Sequence, residues 1–101
     1  MKKTMKSDPK RILADVAPEQ CFWINNGPIV RNLGQLPGAI RSMKQETFMH
    51  HVNKGKNDFS NWIKHVVGDA QLANSVSKMK TKQPMIDALN KRIKTLKKAA
   101  S

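Results

Sequence analysis

Between Asn57 and Val76 the apolar positions recur at helical spacing, and the rest of the chain can be read around them. Phe59, Ile63 and Val66, with Trp62 beside them, fall on one face of a helix that Asn57 or Asp58 can cap by accepting a free backbone N–H. Gly68 can supply the left-handed residue that stops this helix, and Asp69 can cap a second one carrying Leu72, Ala73 and Val76. The pattern predicts two short helices, over 58–67 and 70–79, meeting at a tight corner with Phe59, Trp62, Ile63 and Leu72 buried together.

Outside this stretch the apolar runs are shorter. Residues 1–8 are polar and lysine-rich, with no helical or strand period, and are read as a disordered arm. Pro9 opens a brief helix that ends before Pro18. Cys21 to Ile24 and Pro28 to Val30 are short apolar runs around Asn25-Asn26-Gly27, the turn chemistry of a β-hairpin, with Pro28 confined to a strand start or edge. Asn32 can cap a helix bearing Leu33, Leu36, Ile40 and Met43; Pro37 then requires either a late start near Gln35 or a kink. Gln45 to Val52 reads as a helix presenting Phe48 and Val52, and residues 53–56 as a loop. After Thr81 or Gln83 as cap and Pro84 in a first turn, Ile86, Leu89, Ile93, Leu96 and Ala100 form an apolar stripe at 3-4-3-4 spacing. The fold class expected is mainly α: a small bundle of short helices with an N-terminal β-hairpin and a long C-terminal amphipathic helix. The expected division is a basic arm over 1–11, a compact helical domain over 12–79 and a basic amphipathic helix over 80–101.

Charge alters this picture more than composition does. The 101 residues carry a formal net charge of +12. Residues 1–11 contribute +4 and residues 78–101 contribute +7, while the 66 residues between them contribute +1. Such an excess, gathered at two ends of a nearly neutral domain, points to a polyanionic partner. The candidate nucleic-acid-binding residues are Lys2, Lys3, Lys6, Lys10 and Arg11 at one end and Lys91, Arg92, Lys94, Lys97 and Lys98 at the other. With only four arginines in the chain, bidentate reading of bases is poorly provided for, and backbone binding without sequence preference is expected.

The remaining chemistry is sparse. Cys21 stands alone, so an intramolecular disulfide is excluded, and its apolar setting favours an inert thiol. His50 and His51 are adjacent and would diverge by about 100° on a helix, which is not metal-ligand spacing. His51 is expected to face the core and bond to the Asn57/Asp58 turn. An acid–base pair of His51 with Asp58 would lack a nucleophile and an oxyanion-binding loop. Trp23 and Trp62 could serve as base-stacking platforms, but their apolar neighbours place them in the core. No catalytic residue, metal site or cofactor is expected. No run approaches the ~20 apolar residues of a membrane span, and the lysine-rich start lacks a signal-peptide apolar region, so a soluble, cytoplasmic protein is expected.

The succession Phe22, Asn26-Gly27, Leu33, Leu36, Ile40, Met43, Phe48, His51-Val52, Asn57-Asp58-Phe59, Trp62-Ile63, Gly68-Asp69 and Leu72-Ala73 resembles a small prokaryotic domain of unknown function, frequent in archaea and also found in bacteria. In that family a His-Val, Asn-Asp-Phe-x-x-Trp stretch precedes Gly-Asp-x-x-Leu-Ala. The resemblance spans roughly residues 21–76 and implies a compact, mostly helical module, without an activity to carry over. Gly34, Pro37, Gly38 and the basic ends depart from the pattern. Function is therefore expected at the ends: DNA binding of a chromatin-like or nucleoid-associated kind, with RNA as its nearest variant. The alternative is a protein-interaction module, docking on a partner or on a second copy through the C-terminal stripe.

Overall fold

The computed structural model describes residues 8–101 and is mainly helical. Helix α1 (Pro9–Leu13) begins at Asp8, whose side chain accepts the Lys10 N–H, with Pro9 supplying the preset first turn. A 3₁₀ turn over Pro18–Gln20 leads to β1 (Phe22–Trp23), which pairs antiparallel with β2 (Ile29–Val30). The turn closes by donation from the Gly27 N–H to the Ile24 carbonyl at 2.9 Å. Asn26, at the third position of that turn, holds a positive φ of 59°. Gly27 is needed for a different reason: a Cβ there would stand 2.8 Å from Cγ2 of Ile24. Pro28 precedes the strand, as its missing donor requires.

A 3₁₀ turn over Leu33–Gln35, capped by the Asn32 side chain, runs into α2 (Leu36–Ser42). The late start places Pro37 in the first turn, where its lost N–H costs nothing, and no kink is needed. Helix α3 (Gln45–His51) buries Phe48 and is followed by buried Val52. Residues 53–56, expected as a loop, lie within a second two-stranded hairpin, β3 (Val52–Asn53) with β4 (Lys56–Asn57), so Val52 belongs to a strand rather than to the helix before it. Asn53 makes it: its carboxamide N–H₂ donates to the carbonyls of Met49 and His50 at the end of α3, and its oxygen accepts the Gly55 N–H.

The central pair of helices forms as expected, with one shift. Asn57 caps α4 (Asp58–Trp62) by accepting the Ser60 N–H, and Asp69 caps α5 (Ala70–Ser77) by accepting the Leu72 N–H. Between them Ile63–Val67 is a π-helical turn, closed by donation from the Gly68 N–H to the Ile63 carbonyl at 2.8 Å, with Gly68 left-handed at φ 91°. The wider turn advances the face by one residue, so Val67 is buried and Val66 only half-buried, which corrects the helical-spacing expectation.

Helix α6 (Lys82–Ala100) packs against α1, α2 and α5. It buries Met85, Ile86, Leu89, Ile93 and Leu96 with Ile12, Leu36 and Ile40 in one core, shared with Phe22, Phe48, Phe59, Trp62 and Leu72. The C-terminal helix is thus part of the domain rather than an appendage to it, and α1 brings Lys10 and Arg11 into the folded body.

Candidate nucleic-acid interface

The stripe of α6 determines where its lysines go. With Ile86, Leu89, Ile93 and Leu96 turned inward, Lys91, Lys94 and Lys98 fall within an arc of roughly 60° on the opposite side of the helix. All three are exposed, as is Lys97 on the flank. Lys10 and Arg11 are also exposed, on α1, whose Ile12 is buried in the core that α6 completes. Packing of α1 on α6 therefore brings basic residues from both ends of the chain onto two adjoining helices. Lys2, Lys3 and Lys6 lie outside the described residues.

Arg92 has a different role from the lysines around it. Its Nε–H donates to Oδ2 of Asp69 at 2.7 Å and its Nη2 to Oδ1 at 3.4 Å. Asp69 is buried, and the same carboxylate caps α5, so the guanidinium is committed to joining α5 to α6. Leaving this carboxylate without its partner would strand a buried charge. Lys82 is likewise engaged, donating from Nζ to the Met43 carbonyl at the end of α2. Arg92, grouped by charge with the candidate nucleic-acid-binding residues, is thus paired within the fold, unlike the exposed lysines around it.

His51 sits where expected. Its Nδ1–H donates to Oδ2 of Asp58 at 2.9 Å, and its Nε2 accepts the Asn25 backbone N–H at 3.1 Å. The second bond fixes the tautomer, because only an unprotonated Nε2 can accept. The ring is also packed edge-on to Phe22 at 5.1 Å. With both nitrogens occupied inside the fold, this imidazole ties the first hairpin to α3 and α4. Asp58 also accepts from Nζ of Lys56 at 2.9 Å. Burial pushes its carboxyl upward, but the hydrogen bonds from His51 and Lys56, with the charge of Lys56, outweigh that and hold it below its ordinary value.

The two tryptophans separate. Trp62 is buried, with its indole N–H donating to the Gln20 carbonyl at 2.8 Å and its ring edge-on to Phe22. Trp23, also expected in the core, is exposed. The signal was strand alternation: with Phe22 and Ile24 inward, Trp23 must face out. Among the described residues no set of three or more His, Cys, Asp or Glu side chains could hold a metal ion, and no helix is long and apolar enough to cross a membrane.

Comparison with protein-family profiles, with curated proteins and with solved structures gives no match, so the site stands on its own geometry.

Proposed function

We propose that this chain binds nucleic acid through the phosphate backbone, without sequence preference, in the manner of a nucleoid-associated protein. The observation that carries the reading is the packing of α1 on α6, two adjoining helices that bear the exposed Lys10, Arg11, Lys91, Lys94, Lys97 and Lys98. Ammonium groups on a fixed scaffold meet a phosphate row without ordering a flexible arm first, so less conformational entropy is lost on binding. Six cations on two helices suit a duplex backbone or a folded RNA equally, and DNA is the first expectation. The rival reading, partner docking or dimerisation through the C-terminal stripe, is disfavoured because that stripe is buried in the chain's own core.

The test is a salt titration. Duplex binding of the intact chain should weaken with salt at a slope of about −0.9 in log K against log salt per phosphate contact. Changing Lys91, Lys94, Lys97 and Lys98 together to Gln should weaken binding to all sequences alike and flatten the slope by as many contacts as are lost. Equal affinity of this variant and the parent at moderate salt, or no binding by the parent, would sink the proposal.

A further inference from the structure

The first hairpin has an outer face that the core does not use. Its register sets Trp23 opposite Ile29, while Phe22 and Val30 point inward. Trp23 is 69% exposed and Ile29 42%. Arg31 continues the alternation beyond Ile29 and is exposed as well. Its backbone is held on both sides: the Arg31 N–H donates to Oε1 of Gln35 at 2.7 Å, and the Arg31 carbonyl accepts the Val16 N–H at 2.9 Å. Beneath them the ribbon is anchored by Phe22, stacked on Phe59 at 5.0 Å, and by the Asn25 bond to His51.

A single exposed apolar side chain is ordinary. Here an indole, a cross-strand aliphatic side chain and an arginine share one face of an anchored ribbon, in a chain whose formal charge is +12. A second copy of the chain is a poor occupant, since docking would bring two strongly positive bodies together. A polyanion with flat apolar faces fits both the charge and the shape. We propose that this face is a stacking platform for an unpaired nucleobase: Trp23 takes the base, Ile29 extends the apolar floor, and Arg31 meets the neighbouring phosphate. Single strands, loops and ends offer a free π-face, whereas a duplex keeps its bases stacked on one another, so the platform selects unpaired over paired nucleic acid. The inference rests on the nucleic-acid reading above and adds to it the class of strand preferred.

Oligothymidine, oligouridine and a duplex of equal length, each titrated into the full chain, test it. Trp23 is the exposed indole, so its emission lies to the red of that of buried Trp62. Both single strands should quench that red component. Trp23→Ala should weaken single-strand binding about tenfold and leave duplex binding unchanged, while Trp23→Phe, which keeps a ring, should retain most of the affinity. A preference between the two single strands assigns the partner to DNA or RNA, and either assignment supports the platform. Unquenched emission, or single-strand affinity untouched by Trp23→Ala, overturns the platform and leaves phosphate binding standing. Loss of a concentration-dependent dimer in Trp23→Ala, read by sedimentation, would instead make the face a self-association surface. Failure of the parent to bind any of the three removes the phosphate reading and the platform together.

Discussion

Around Phe59 the chain is cut into short pieces, each tied to the next by a polar side chain; around Leu89 it runs as one helix of 19 residues whose interior backbone groups pair with one another. The difference follows from helix ends. Short helices and two-residue strands leave most of their backbone donors and acceptors unpaired, and buried polar side chains must supply the partners. Asn57 caps α4 and donates to the Val76 carbonyl; the Ser60 hydroxyl donates to the Ala73 carbonyl at 2.7 Å; His51 takes the Asn25 N–H. No buried side-chain nitrogen or oxygen among the described residues lacks a partner. Helix α6 needs little of this, and its outer face is left free to carry lysines. Asp69 joins the two regions, capping α5 while holding Arg92 of α6. Geometric specification is thus concentrated in the first region and net charge in the second.

The sharpest way to break this comparison is to remove α6. A chain ending at Thr81 would lose five buried side chains, Met85, Ile86, Leu89, Ile93 and Leu96, and would expose the faces of α1 and α2. At about 1.5–3 kcal/mol for each buried side chain, that loss is comparable with the whole stability of a small domain, about 5–15 kcal/mol. The truncated chain should therefore show no cooperative thermal transition by circular dichroism. An unchanged midpoint would mean that the first region folds alone and that the two do not share a core.

A smaller, still large effect is expected at Trp62. Trp62→Ala removes a buried indole, its bond to the Gln20 carbonyl and its contact with Phe22, and should cost about 3–5 kcal/mol in denaturant unfolding. Trp23→Ala, on the exposed face of the hairpin, should stay within about 0.5 kcal/mol. Similar costs for the two would erase the distinction between the inner and outer faces of the ribbon.

How much of this could be read from the sequence differs between the regions for the same physical reason. Caps are local, so Asn57, Gly68 and Asp69 announce the α4–α5 corner, and the 3-4-3-4 stripe announces α6. Strand alternation also announces the exposure of Trp23, although apolar neighbours alone suggest the core. The π turn was not legible, because it changes the helical period by one residue without any unusual side chain at Ile63–Val67. Nor was the second hairpin, which depends on one carboxamide, that of Asn53, finding three backbone partners at once. For the candidate interface, charge alone singles out the lysines, but the pairing that sets Arg92 apart from them depends on Asp69, 23 residues away in sequence. The docking of α1 on α6 is equally non-local: five residues with one buried side chain carry too little pattern to announce a partner.

Within the polar region, Asp58 offers a test by pH. Asp58→Ala would leave the buried Nδ1–H of His51 without an acceptor, costing about 1–3 kcal/mol. The same carboxylate makes a signed prediction. Its pKa in the folded chain lies below the ordinary 3.8, so its contribution is fully present above that value. As pH falls through 3.8 the unfolded chain takes up the proton first, and the contribution is lost progressively down to the lower folded pKa. The stability difference between the parent and Asp58→Asn, measured by urea unfolding, should therefore shrink between neutral pH and about pH 3. A constant difference over that range would show that the carboxylate's charge does not contribute and that shape alone matters there.

The smallest effect on stability is expected where the effect on the proposed binding is largest. Lys91, Lys94, Lys97 and Lys98 are exposed and appear in no ion pair among the described residues. Two opposing contributions act on them. Lysines three and four apart repel one another by about 0.2–0.5 kcal/mol per pair, while cations in the last turn, here Lys97 and Lys98, gain about 0.3–1 kcal/mol from the helix dipole. These nearly cancel, so the fourfold change to Gln should shift unfolding by no more than about 0.5 kcal/mol. The apolar stripe beneath is untouched by the substitution, and Arg92 keeps its bond to Asp69, so the helix should remain docked while its charge is removed. A loss of 2 kcal/mol or more would mean that these lysines hold the fold together, as the polar side chains around Phe59 do, and the division between a specifying region and a charge-bearing one would no longer hold.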